Sequence, residues 1–94
     1  MFIILLKFSD NKDKAGQYLK AHKAWIKTGF DDEVFFLVGS LKTHAGGGII
    51  AHNTSMENLQ NRVNEDPFVA ENIVTAEIIE IEANKVDERL DFLN

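Results

Sequence analysis

The only proline in the chain, Pro67, follows Asp66 and separates a segment with helical periodicity from the strongest strand-like run. Proline cannot continue a helix interior, and it pushes the residue before it out of the α-helical region. We therefore predict that Asp66 occupies a fixed junction between a helix and a strand. A carboxylate held there either caps the turn that follows or takes part in acid–base chemistry, and the residues alone leave both interpretations open.

The other segments alternate between strand and helix patterns. Short apolar runs predict four strands, at residues 2–8, 34–41, 49–53 and 73–81, the third beginning within the glycines before it. Apolar residues at three- and four-residue spacing predict two helices, at residues 12–28 and 55–63. Gly29 is placed to end the first helix in a left-handed cap.

The resulting order is βαββαβ, and with right-handed crossovers it predicts an α+β fold of the ferredoxin-like type. In that fold a four-stranded antiparallel sheet carries both helices on one face. The other face would expose large apolar residues, so we predict that it pairs with a second copy in a twofold-symmetric homodimer. Residues 1–94 form one predicted domain, and residues 84–94 form a tail that could adopt a short helix.

Composition excludes several classes of protein. The formal net charge of −5 and the pI near 5.0 argue against a nucleic-acid partner and against an anionic membrane surface. The absence of cysteine excludes disulfides, zinc–thiolate sites and a cysteine nucleophile. The apolar start lacks the basic region and cleavage site of a signal peptide, and no run approaches membrane-spanning length. We therefore predict a cytoplasmic protein.

The predicted topology brings several polar and glycine positions to one edge of the sheet. The end of the second strand contributes Gly39 and Ser40, the start of the third contributes residues 46–48, and the start of the fourth lies beside Asp66. The first helix begins at the same edge, and His22 lies in the middle of its apolar stripe. We predict a pocket between this helix and the sheet, with His22 in its wall and Asp66 near its mouth.

A histidine and a carboxylate in one pocket could perform general acid–base catalysis. An imidazole takes up and releases a proton near neutral pH, and a carboxylate beside it fixes the tautomer. Backbone N–H groups of the glycines could bind an oxyanion. Proton abstraction, lactone opening or elimination would all fit. The alternatives are a buried structural histidine, a capping aspartate and a glycine-rich hairpin. Nothing in the spacing of His22, His44 and His52 supports a metal site.

Four pieces of sequence together resemble the YCII-related (YciI-like) family of small proteins. They are His22 with Trp25, residues 39–41 (Gly-Ser-Leu), the glycines 46–48, and residues 66–68 (Asp-Pro-Phe). The resemblance implies a dimeric α+β barrel and an active-site pair formed by His22 and Asp66. It also implies ligand contacts around that pair, for which the candidates are Trp25, Gly39, Ser40, Gly47, Gly48 and Phe68.

The function that follows is a cofactor-independent enzyme with lyase-like or isomerase-like activity. Its substrate would be a small polar or aromatic metabolite, with His22 as general base or acid and Asp66 as the orienting or second acid–base group. The alternative is a homodimer that binds or senses a small molecule in the same pocket without converting it.

Overall fold

The computed structural model describes residues 1–93; Asn94, the last residue of the predicted tail, lies outside them. Residues 1–93 form seven main elements: β1 (Phe2–Phe8), α1 (Ala15–Asp31), β2 (Phe35–Ser40), β3 (Gly46–Ala51), α2 (Met56–Asn64), α3 (Pro67–Ala70) and β4 (Val74–Glu80). A short 3₁₀-helix, Lys12–Lys14, precedes α1, and a second 3₁₀ segment occupies Glu88–Leu93. No helix among residues 1–93 is both long enough and apolar enough to cross a membrane.

The four strands form one antiparallel sheet in the order β2-β3-β1-β4. This is the predicted ferredoxin-like arrangement, and it confirms the α+β fold class. The apolar run of β1 makes it a central strand, whereas β4, which carries Glu77 and Glu80, lies at an edge. The element boundaries differ from the prediction by one or a few residues. Such shifts are ordinary at element ends.

Side chains alternate across the sheet, so one face holds the core. In β1, Phe2, Ile4 and Leu6 are buried, and in β3 their neighbours Ile49 and Ala51 are buried with them. Buried residues of the three α-helices complete this core: Trp25, Leu59, Val63 and Phe68. The helices therefore cover one face only, as predicted.

The open face of the sheet is apolar. Ile3 and Leu5 of β1 and Ile50 of β3 are half-buried there, while Leu37 and Ile79 are 49% and 40% exposed. Part of the tail reaches this side, since the Phe92 ring packs edge-on against Phe36 and His52 at 5.1 and 5.2 Å between centroids. Pairing of this face with a second copy stays a prediction.

Gly29 does not end the first helix, so the predicted cap at this position is wrong. α1 continues to Asp31, and the residue with a left-handed backbone is Glu33, at φ 61°. Gly29 is buried, and a Cβ atom built on it would overlap the Phe35 ring. Its missing side chain therefore lets α1 approach β2, which fixes how close the helix lies to the sheet.

Candidate active site

His22 of α1 and Asp66 at the start of α3 are in direct contact. The distance between His22 Nδ1 and Asp66 Oδ1 is 2.7 Å. The histidine side chain is 13% exposed and the aspartate is fully buried. Asp66 therefore lies behind the imidazole ring, deeper than the predicted position near the mouth of a pocket.

Asp66 also caps α3, so the predicted cap and the contact with His22 are made by the same carboxylate. Its backbone is extended, at φ −61° and ψ 123°, and Pro67 begins the helix at a position that needs no N–H donor. Asp66 Oδ1 accepts a hydrogen bond from the Phe68 backbone N–H at 3.0 Å. The same oxygen thus serves the cap and the histidine, while Oδ2 is buried without a hydrogen-bond partner among residues 1–93.

This contact selects the tautomer of His22. A carboxylate only accepts hydrogen bonds, so the proton of a neutral imidazole must lie on Nδ1. The other ring nitrogen, Nε2, then carries the lone pair. Within residues 1–93, Nε2 makes no hydrogen bond to a protein group, and it is not buried. The nitrogen that can accept a proton is therefore accessible.

Two aromatic rings hold the imidazole in its plane. Phe68 stacks on His22 with 3.9 Å between centroids and 2° between planes, and Trp25 lies at 5.9 Å and 25°. Trp25 is itself fixed, because its Nε1–H donates to the Arg62 carbonyl at 2.9 Å and its ring packs edge-on against Phe35. Both rings thus oppose rotation of His22 away from Asp66.

A cavity of about 350 Å³ lies between α1 and the helix-facing side of the sheet. Its size falls in the range of small-molecule sites. Six of the predicted site residues line it: His22, Gly39, Ser40, Gly47, Gly48 and Phe68. Trp25 and Asp66 do not line it, and each packs against or hydrogen-bonds His22 instead.

The glycines of β3 have a different place from the one predicted for an oxyanion site. β3 lies between β1 and β2, and Gly47 is opposite both Leu6 and Ser40 in the two ladders. Its backbone groups therefore point along the sheet towards neighbouring strands, not into the cavity. Gly47 shares the helix-facing side with Leu6, so its missing side chain leaves room for the cavity.

The lysine in the cavity wall was not among the predicted site residues. Lys23 lines the cavity, although a charged side chain on a helix ordinarily belongs to its solvated face. The available signal was its spacing, because Leu19 and Ile26 precede and follow it by four and three residues on the same helix. No group of three or more metal-binding side chains occurs among residues 1–93.

Replacing Asp66 by serine separates the cap from the contact with His22. Serine can accept from the Phe68 N–H but is too short to reach Nδ1. We expect D66S to lower the free energy of unfolding by about 1–2 kcal/mol, and D66A by about 1 kcal/mol more, because alanine also loses the cap. In both variants, ¹⁵N NMR should show His22 as a mixture of tautomers. An unchanged His22 nitrogen spectrum in D66S would mean that this carboxylate does not hold the ring.

Comparison with known proteins places the fold but not the activity. No family model matches the chain, and no curated protein matches it. Among solved structures, the chain is similar to 5-chloro-2-hydroxyhydroquinone dehydrochlorinase (TftG) from Burkholderia phenoliruptrix AC1100, in complex with 2,5-dihydroxybenzoquinone. The TM-score is 0.70 at 14% identity, and the match covers 87% of this chain and 94% of that one. The two proteins share a fold.

Proposed function

We propose that this chain is a cofactor-independent enzyme of the YCII-related family that performs general acid–base chemistry on a small aromatic metabolite. His22 is the base and acid, and Asp66 orients it. The reaction belongs to the lyase or isomerase class. The observation that carries this proposal is the 2.7 Å contact between His22 Nδ1 and the buried Asp66 Oδ1, made by a histidine that lines a cavity.

The geometry supports a simple proton path. Nε2 accepts a proton from the substrate, and the imidazolium that forms is stabilised by the Asp66 carboxylate at Nδ1. In an elimination, the electron pair of the broken bond to hydrogen forms a new π bond, and the leaving group departs as an anion. In an isomerisation, Nε2 returns the proton to another atom of the substrate. Neither route requires a group outside the chain.

The lining of the cavity favours an aromatic ring. Its walls are mostly apolar, and Phe68 contributes an aromatic side chain to them. A dehydrochlorinase of the same fold in complex with 2,5-dihydroxybenzoquinone supports a substrate of this kind. The apolar open face of the sheet supports a homodimer, in which each copy is one domain carrying its own His22–Asp66 pair.

The proposal is tested by a binding and turnover screen that begins with two compounds. We expect 2,5-dihydroxybenzoquinone to shift the NMR signals of His22 and Ser40, because both line the cavity. We expect 5-chloro-2-hydroxyhydroquinone, or a related ring with a leaving group, to release its leaving group, which an ion-selective electrode detects for chloride. Binding throughout the screen without any conversion would favour the alternative, a protein that senses a small molecule.

A further inference from the structure

Lys23 lies at the opening of the cavity. It stands on one row of α1 between Leu19 and Ile26, and all three side chains line the cavity. Lys23 and Ser40 are both exposed, so they lie where the cavity meets solvent, whereas His22 is mostly buried. The polar side chains at the opening are thus the Lys23 ammonium and the Ser40 hydroxyl. The side chains deeper in the cavity are apolar except for the His22 imidazole.

The opening of the cavity carries a positive charge, although the chain as a whole is acidic. The protein carries a net charge of −5, yet no carboxylate lines the cavity. Lys23 makes no ion pair within residues 1–93, whereas Lys27, one turn further along α1, pairs with Asp31 at 2.8 Å. An anion is therefore repelled by the molecule as a whole and attracted at this opening.

We propose that Lys23 makes the cavity selective for a planar ring that carries an anionic oxygen substituent, either a carboxylate or a phenolate. This inference rests on the proposed function, in which the cavity holds the reactant. Lys23 would then determine the specificity for this class of substrate. The ring occupies the apolar interior beside Phe68, and the anionic oxygen lies at the opening with the Lys23 ammonium and the Ser40 hydroxyl.

The same arrangement suits the chemistry. When His22 Nε2 removes a proton from a hydroxyl or an activated carbon, the electron pair left on the substrate delocalises onto its oxygen atoms. A cation near those oxygens stabilises this charge while the proton resides on the imidazole. Lys23 therefore contributes to binding through the charge already present, and to turnover through the charge that develops.

Matched probes with and without charge test the inference by binding alone. We compare 4-hydroxybenzoate with 4-hydroxybenzamide, and 4-nitrophenolate with 4-nitroanisole, by NMR titration of the wild type, K23Q and K20Q. Lys20 is an exposed lysine of the same helix that does not line the cavity. We expect K23Q to weaken the anion by about fivefold to tenfold and to leave its neutral partner unchanged. K20Q should leave both within about twofold.

The two pairs of probes show whether the anionic group of the ligand is a carboxylate or a phenolate. Preference for the benzoate over its amide assigns a carboxylate, and preference for the nitrophenolate over its ether assigns a phenolate. In the wild type the preference should shrink as ionic strength rises to about 0.5 M, because exposed charges are screened.

The inference is overturned if no probe binds, if charged and neutral probes bind equally, or if K23Q behaves like K20Q. Its failure is distinct from failure of the proposed function. Turnover with no preference for charge overturns the role of Lys23 and leaves the His22–Asp66 chemistry intact. Lys23-dependent binding of anions without any turnover supports the role of Lys23 and contradicts the proposed enzymatic function.

Discussion

The variant H22N is expected to lose turnover by about 10²- to 10⁴-fold on any compound that the wild type converts. An asparagine side chain can still donate from Nδ2 to Asp66 Oδ1, as His22 Nδ1 does at 2.7 Å. It has no atom at the place of Nε2, which is the proposed acceptor of the substrate proton. The variant therefore removes the proposed base while it retains the partner of the buried carboxylate. Steady-state kinetics with that compound provide the measurement.

Binding distinguishes loss of chemistry from loss of the site. Because the cavity walls are otherwise unchanged, H22N should bind the same compound within about threefold of the wild type. Its unfolding midpoint in urea should show that the fold is retained. A folded H22N protein that turns the compound over at the wild-type rate would contradict the assignment of His22 as the base.

The largest effect on stability is expected for W25A, at about 3–5 kcal/mol. Trp25 is 9% exposed, packs edge-on against Phe35 at 5.2 Å between centroids, and donates a hydrogen bond to the Arg62 carbonyl. Its removal leaves a large cavity between α1 and the sheet, and it takes from the Arg62 carbonyl one of two hydrogen bonds, the other being donated by the Glu65 N–H at 3.1 Å. For a domain of this size the loss is a large share of the whole free energy of unfolding. Urea denaturation followed by circular dichroism measures it.

Two further variants show whether burial is the cause. W25F retains a ring against Phe35 but loses the Nε1–H donor, so it should lose much less stability than W25A. F92A removes a ring that is 49% exposed in the tail, and we expect a loss of at most about 1 kcal/mol. If F92A destabilised the protein as much as W25A, the core would not lie between α1 and the sheet.

The order of elements and the shared edge of the sheet could be predicted because they depend on patterns local in sequence. Pro67 ends a helix whatever surrounds it, and the alternation of strands and helices then determines which strand ends meet. This was enough to place His22 and Asp66 on neighbouring elements.

Distances within the site could not be predicted, since they depend on how α1 is rotated and how closely it approaches β2. Both are set by tertiary packing: Gly29 lies against the Phe35 ring, and Trp25 fills the space beside it. For the same reason Trp25 was expected at the ligand but packs beside His22 without lining the cavity, while Lys23 was absent from the predicted site and lines the cavity. A charge pattern along a helix indicates which side is exposed to solvent. The opening of a cavity is also exposed to solvent, so the pattern does not distinguish the two.

The double use of Asp66 Oδ1 affects how sequences descended from a common ancestor with this one should be interpreted. A descendant that has lost its chemistry still needs a cap for α3, so selection for folding alone would favour retention of the aspartate. His22 Nε2 has no structural role of this kind, because it makes no hydrogen bond to a protein group within residues 1–93. In a set of homologues, retained aspartate would therefore report only that the junction folds, and the joint retention of His22 and Lys23 would mark the members that still process a ligand.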